Sequence, residues 1–209
     1  MFNTDGIFMV QKTLERVYEK ISKKFTAIDH EREYAYSTHR EIIKYSSLAI
    51  RSAHRKQFEE AAEFLKKSKE LIEEVKKRLS CFPEIYFAGF VHDAQKEFAE
   101  ANITYAIIKD QSLPDPDSIG VDYPAYLNGL GESVGELRRF VLDAIRHKEH
   151  QDYENVLSVM DEIYYLLTSV DYPDAITKGL RRTTDVARSI IEKTRGDLTT
   201  HFIIKGVRS

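Results

Sequence analysis

Two pairs of glutamates stand at helical spacing in a chain that has no glycine-rich phosphate loop and no serine or cysteine nucleophile motif. Glu97 and Glu100 are three residues apart, and Glu132 and Glu136 are four apart, so each pair lies on one side of a helix. Paired carboxylates suit Mg²⁺ or Mn²⁺, which prefer oxygen ligands and keep several waters. The simpler interpretation of each pair is a surface or boundary acid that reaches solvent or pairs with a nearby lysine or arginine.

Three glycines flank the second glutamate pair. Gly129, Gly131 and Gly135 fall within seven residues of one predicted helix, and each glycine inside a helix costs roughly 1 kcal/mol relative to alanine. This concentration predicts that another backbone or a ligand approaches the glutamate face closely. A covered face would leave its carboxylates in need of a partner.

A basic stripe runs along the predicted helix that ends near residue 55. At 100° per residue, its four cations lie within about 60° of one another. They are Arg40, Lys44, Arg51 and Arg55. An ordinary solvated face is the simpler interpretation. The functional interpretation is a track of contacts to nucleic-acid phosphates, with His54 beside it as a further donor.

These side chains require long helices to position them. Apolar residues recur at helical spacing along the 209 residues, while 9 glycines and 5 prolines are too few for the many turns of a β-sandwich. The pattern predicts an all-α fold, an antiparallel bundle of about six to seven long helices. The predicted helices cover residues 6–26, 29–55, 58–80, 83–109, 124–147, 152–170 and 173–196, and the segment 110–122 is the clearest loop.

The bulk properties limit the classes of function. With a net charge of −3, any affinity for nucleic acid must come from a local basic patch. The single cysteine, Cys81, fits a reducing compartment such as the cytoplasm, and its apolar neighbours predict a buried thiol. No window approaches 18 apolar residues, and no signal peptide is recognisable, so we expect no membrane span.

Several blocks of the sequence, in this order, resemble the translin family. They are HREIIKYSSLAIRSAHR, FPEIYF, EFAEA, GESVGELRR and the final segment from Asp171 to Leu198. The resemblance covers residues 28–200 and is closest to the branch of translin-associated factor X (TRAX). It implies an N-terminal helical extension over residues 1–27 and a translin-like helical domain over 28–205. The compact loops favour a bacterial or archaeal source.

The resemblance also implies an assembly and a chemistry. Translin-family proteins are all-helical, form octamers that enclose a chamber, and bind single-stranded RNA or DNA. TRAX-type members are Mg²⁺-dependent RNA endonucleases with acidic residues on two neighbouring helices. The EFAEA block places Glu97 and Glu100 on the first acidic pair, and GESVGEL places Glu132 and Glu136 on the second. Glu132 stands where eukaryotic TRAX typically has aspartate.

The sequence therefore predicts a Mg²⁺-dependent endoribonuclease that binds and cleaves single-stranded RNA inside an oligomeric shell. All four glutamates would hold Mg²⁺ or Mn²⁺, and Glu136 would accept a proton from the attacking water. The basic stripe and His54 would hold the RNA backbone. The alternatives are a non-catalytic shell that binds single strands, as translin does, and a structural scaffold whose carboxylates pair with arginines.

Aromatic and leucine residues near the C-terminal third could serve either self-association or the core. They are Tyr153, Tyr164, Tyr165, Leu166, Leu167 and Tyr172.

Overall fold

The structure is a computed structural model that describes residues 4–147 and 153–207, with side chains described for 7–147 and 153–204. Of the described residues, 89% are helical and none lies in a strand, which confirms the all-α prediction. In chain order the helices are α1 (Thr4–His54), α2 (Phe58–Arg78), a 3₁₀ turn (Leu79–Cys81), α3 (Pro83–Tyr86), α4 (Gly89–Ile108), α5 (Pro116–Ile119), α6 (Tyr123–His147), α7 (Tyr153–Ser169), α8 (Asp174–Thr177) and α9 (Leu180–Val207).

The first helix is longer than predicted. The sequence suggested a break before Asp29, but α1 continues through 51 residues without interruption. Neither glycine nor proline occurs between Ile7 and His54. Asp29 is exposed inside the helix, where an aspartate costs only a few tenths of a kcal/mol relative to alanine. The capping preference of Asp29 is therefore not sufficient to end the helix when no glycine or proline follows.

The N-terminal part of α1 lies outside the packed core. From residue 7 to residue 27 every side chain except Ser22 is exposed, including apolar Ile7 and Phe25. Contact with the core begins at Ile28, which packs against the buried cluster. The division into an extension and a domain at residue 27 remains a prediction.

Two other predicted helices are interrupted. The helix expected from Pro83 to Lys109 is divided into α3 and α4, with Pro83 in the first turn of α3 as predicted. The last helix is divided at Lys178 and Gly179, whose φ angles are 53° and 89°. Gly196, the predicted end, lies within α9.

The helices that carry the four glutamates are central to the bundle. Helix α4 packs against α1, α2 and α6, and α6 packs against α4, α7 and α9. Phe98 of α4 and Leu137 of α6 are fully buried, and burial of such a side chain stabilises a fold by about 1.5–3 kcal/mol. The rest of the bundle therefore fixes the relative positions of the two acid-bearing helices.

Cys81 is exposed, so the prediction of a buried thiol was wrong. Tyr153 and Leu167 belong to the core, while Tyr165 and Tyr172 are largely exposed. Within the described residues, no helix combines the length and the apolar character needed to cross a bilayer.

Candidate functional site

Helices α4 and α6 are in close contact at Gly129. A Cβ atom added to this glycine would lie 2.6 Å from the Lys96 carbonyl oxygen and 2.9 Å from the Glu100 backbone nitrogen. Backbone atoms in a packed helix cannot move aside cheaply, so this approach requires glycine. It brings the α6 face of Glu132 against the α4 face of Glu97 and Glu100.

The other two glycines differ from each other. A Cβ at Gly131 would lie 2.4 Å from Cγ2 of Thr183, so the absence of a side chain here lets α9 pack closely against α6. At Gly135 the nearest described atom is Cδ1 of Ile190 at 3.9 Å, an ordinary contact. The prediction of a close approach is thus confirmed at Gly129 and Gly131, while at Gly135 no described residue approaches closely and the approach of a ligand stays a prediction.

Three of the four predicted glutamates come together. Glu97, Glu100 and Glu132 each offer one carboxylate oxygen, and these three oxygens lie within 4.8 Å of one another. We call them the glutamate cluster. Octahedral Mg²⁺ holds oxygens at about 2.1 Å, so opposite ligands are about 4.2 Å apart, and small side-chain rotations would let one ion contact all three. The longer side chain of Glu132, in place of the aspartate usual in eukaryotic TRAX, reaches the cluster.

The electrostatics of the cluster favour a bound cation. Burial raises the pKa of Glu100 to about 8, and repulsion from Glu97 and Glu132 adds to the effect. The pKa of Glu97 is also raised, chiefly by burial. Half-buried carboxylates this close together repel one another unless protons or a cation neutralise them. The residues present therefore have the chemistry of a divalent-cation site.

Lys96 supplies part of the compensating charge. Its Nζ atom donates a hydrogen bond of 2.9 Å to Oε1 of Glu132. Burial opposes the charged form, but this bond keeps the pKa of Lys96 above its ordinary value. Sequence reasoning missed this residue because a lysine next to Glu97 in a helix gives no sign of which way its flexible side chain turns.

Glu136 has a different environment from the other three glutamates. Its Oε2 atom accepts a hydrogen bond of 2.5 Å from Nε2 of His54 and lies 3.5 Å from Arg139. The bond from His54 lowers the pKa of Glu136 despite its partial burial. The side chain of Glu136 thus contacts α1 and is not part of the glutamate cluster.

The same contact changes the interpretation of His54. Its side chain is only 6% exposed, because the ring turns inward to Glu136. In this position the ring has little surface to offer a nucleic-acid strand. The geometry assigns His54 to the support of Glu136. His54 also lines a cleft with Arg51 and Arg55, so direct contact with phosphate stays a prediction.

Without metal, the protein is expected to lose stability as the pH rises from 4.5 to about 8. Glu100 ionises near 4.5 in the unfolded chain but near 8 in the folded one. The unfolded state releases its proton first, so the free energy of unfolding falls across this window and levels off above it. Thermal unfolding in EDTA should show a Glu100→Gln variant gaining stability over wild type as the pH rises. A difference that does not change with pH would contradict this prediction.

The glutamate cluster borders a cleft of about 540 Å³ between α4, α6 and the beginning of α9. Glu100 and Glu132 line one wall, and Lys178 and Arg182 line another. The cleft is large enough for a substrate group to reach the carboxylates.

The basic stripe is exposed along its length. Arg40 stacks on Tyr36, with its guanidinium carbon 4.8 Å from the ring centroid. Arg51 and Arg55 line a second cleft of about 390 Å³ together with Arg139 and Arg146 of α6. The C-terminal end of the stripe thus meets further cations, which sequence reasoning missed because they lie more than 80 residues away in the chain.

Comparison with known proteins gives relatives of both sequence and fold. No family model matches the chain. It is 34% identical over 175 residues to the uncharacterized protein MJ0175 of Methanocaldococcus jannaschii, a match that covers 82% of this chain and 77% of that protein.

Among solved structures, the fold is similar to AfC3PO in complex with duplex RNA, with a TM-score of 0.80 and 34% identity over 89% of this chain and 96% of that one. The crystal structure of AfC3PO matches equally well, over 97% of its chain. That of apo-NeC3PO, at 20% identity and a TM-score of 0.79 over 88% of this chain and 96% of that one, shares the fold.

Proposed function

The chain belongs to the translin family, and on that premise we propose that it is a TRAX-type, Mg²⁺-dependent endoribonuclease for single-stranded RNA. The observation that carries the proposal is the glutamate cluster, with three carboxylate oxygens within 4.8 Å on the two central helices. Similarity to AfC3PO, which has been solved with duplex RNA, supports RNA as the ligand.

Glu97, Glu100 and Glu132 would hold Mg²⁺, or Mn²⁺, at the wall of the cleft. When bound, the ion supplies a Lewis acid that polarises a phosphodiester and lowers the pKa of a water. Glu136 lies one helical turn beyond Glu132, and its hydrogen bond from His54 keeps it ionised at neutral pH. An ionised carboxylate there can accept the proton of the attacking water at one of its oxygens.

The basic stripe would hold the RNA backbone without reading its bases. Arg40, Lys44, Arg51 and Arg55 are all exposed, and their spacing along α1 extends over about 22 Å. Contacts of this kind depend on charge and weaken with salt. His54 would act indirectly, by fixing Glu136.

We expect Arg51→Gln to weaken RNA binding and to reduce its dependence on salt. Loss of one phosphate contact should remove about 0.7 from the slope of log affinity against log salt for a single strand. Fluorescence anisotropy with labelled oligo-U would measure the slope. Lys193→Gln changes an exposed cation on α9 and serves as the control that keeps the wild-type slope. Equal slopes for Arg51→Gln and wild type would show that Arg51 does not contact the RNA.

A second candidate is a translin-like protein that binds single strands without cutting them. The ion pair between Lys96 and Glu132 favours it, because this bond neutralises one acid of the cluster without a metal. This candidate predicts tight RNA binding and no cleavage at any Mg²⁺ concentration, so an assay for cleavage separates the two.

We also propose that the chain forms a homo-oligomer, an octamer like those of its family, and acts in the cytoplasm, as its single cysteine favours. Tyr165 and Tyr172 are 64% and 65% exposed, and Leu166, next to Tyr165 in sequence, is 48% exposed. Large apolar side chains on a surface are suited to contact between subunits. Light scattering on the purified protein should give the mass of an octamer, and a stable monomer would contradict the assembly.

A further inference from the structure

Two cations face the glutamate cluster across the 540 Å³ cleft. Lys178 lies in the turn between α8 and α9, and Arg182 lies in the first turn of α9. Both side chains are exposed, and within the described part of the chain neither forms an ion pair with an acid. Carboxylates on one wall and unpaired cations on the other leave a place between them for an anionic group.

The backbone at Lys178 is held in an unusual conformation. Its φ of 53° is left-handed, which costs a residue other than glycine about 1–2 kcal/mol. The side-chain amide of Asn128 donates to the carbonyl of Thr177 at 2.9 Å and to that of Lys178 at 3.4 Å. Asn128 is only 3% exposed, so a buried side chain fixes this turn at the edge of the cleft.

The same stretch of α6 fixes both walls. Asn128 precedes Glu132 by one helical turn, so the two residues share a helix face. Thr183, the neighbour of Arg182, donates to Oδ1 of Asn128 at 2.6 Å and packs on Gly131. The turn that carries Lys178 and the first turn of α9 that carries Arg182 are therefore both held against the helix that carries Glu132.

We propose that Lys178 and Arg182 bind the phosphodiester that lies against the glutamate cluster and so position the RNA strand for cleavage. This assignment rests on the proposed function. A phosphodiester carries one negative charge on two non-bridging oxygens. The guanidinium of Arg182 can contact both, and Lys178 adds a point charge. Lys178 and Arg182 act by binding substrate, and the three glutamates would hold the metal without them.

The test compares Lys178→Asn/Arg182→Gln with Arg181→Gln. Asparagine tolerates the left-handed backbone at position 178, which protects the fold of the double variant. Arg181 is the ideal control, because it is exposed and adjacent in sequence but lines a different cleft, with Tyr164. Circular dichroism would verify that both variants are folded.

Affinity for fluorescein-labelled oligo-U is measured in EDTA by anisotropy at several salt concentrations, and Mn²⁺ binding is measured by calorimetry. We expect the double variant to lose at least about 10-fold in RNA affinity and about 1.4 from its salt slope, with Mn²⁺ affinity unchanged. Arg181→Gln should match wild type in both measurements.

The outcomes separate this inference from the proposed function. If wild type binds RNA and Mn²⁺ but the double variant keeps the wild-type affinity and slope, the assignment of Lys178 and Arg182 is wrong and the metal site stands. If wild type binds neither RNA nor Mn²⁺, the proposed function fails and the assignment fails with it. Equal losses in the double variant and in Arg181→Gln would indicate a diffuse charge effect and overturn the specific contact.

Discussion

Replacement of Glu100 by glutamine is expected to lower the rate of Mg²⁺-dependent RNA cleavage by at least about 10³-fold. Glutamine keeps the shape of the side chain but removes a carboxylate that would bind the metal ion in the glutamate cluster. The remaining carboxylates, Glu97 and Glu132, would hold a divalent ion weakly, and Lys96 already neutralises part of their charge. The rate of product formation from labelled single-stranded RNA, at the lowest Mg²⁺ concentration that saturates wild type, measures the effect.

The matched control for this prediction is Glu162→Gln. Glu162 is an exposed acid on α7, a helix that carries none of the four glutamates, and its variant should cleave at the wild-type rate. RNA binding by Glu100→Gln in EDTA at neutral pH should equal that of wild type, because a carboxyl group whose pKa is raised to about 8 is already mostly uncharged there. A cleavage rate for Glu100→Gln within a few-fold of that of wild type would show that the glutamate cluster is not the catalytic site.

Gly129→Ala should have the largest effect on stability. The added methyl group would lie 2.6 Å from the Lys96 carbonyl oxygen and 2.9 Å from both Cβ of Ala99 and the Glu100 backbone nitrogen. To relieve these contacts, α4 and α6 must move apart, which in a packed core costs about 3 kcal/mol. Urea unfolding followed by circular dichroism measures the loss, and the same separation should weaken Mn²⁺ binding.

Gly196→Ala provides the opposite case within the same protein. Gly196 is exposed inside α9, and apart from the backbone of its own helix no described atom lies within 4 Å of a Cβ added there. Alanine at a helical position without a clash should stabilise by about 0.5–1 kcal/mol. If Gly129→Ala were as stable as Gly196→Ala, the close approach of α4 and α6 would not be what brings the glutamates together.

The periodicity of apolar and acidic residues predicts the helices and the faces that they present. Apolar spacing gave the all-α class, and the intervals within the glutamate pairs gave the faces that the helices present. Gly129 and Gly131 carried tertiary information as well, because a glycine inside a helix is costly unless a neighbour needs the space. The gathering of Glu97, Glu100 and Glu132 followed from these local signals and from the resemblance to TRAX.

Other parts of the site depend on contacts between distant residues. His54 and Glu136 are 82 positions apart, and nothing near either residue in sequence indicates that they pair. Lys178 and Arg182 reach the cleft because of a break between α8 and α9 that buried Asn128 stabilises from another helix. The continuity of α1, in contrast, could have been predicted from local sequence. The predicted break relied on the capping preference of Asp29, although no helix-breaking residue lies nearby.

The most direct test of the central claim is an assay of wild-type protein with 5′-labelled single-stranded RNA, in Mg²⁺ and in EDTA. A metal-dependent endonuclease should produce internal fragments in Mg²⁺ and leave the RNA intact in EDTA. RNA that is bound but intact under both conditions would contradict the claim and identify the protein as one that binds single strands without cutting them.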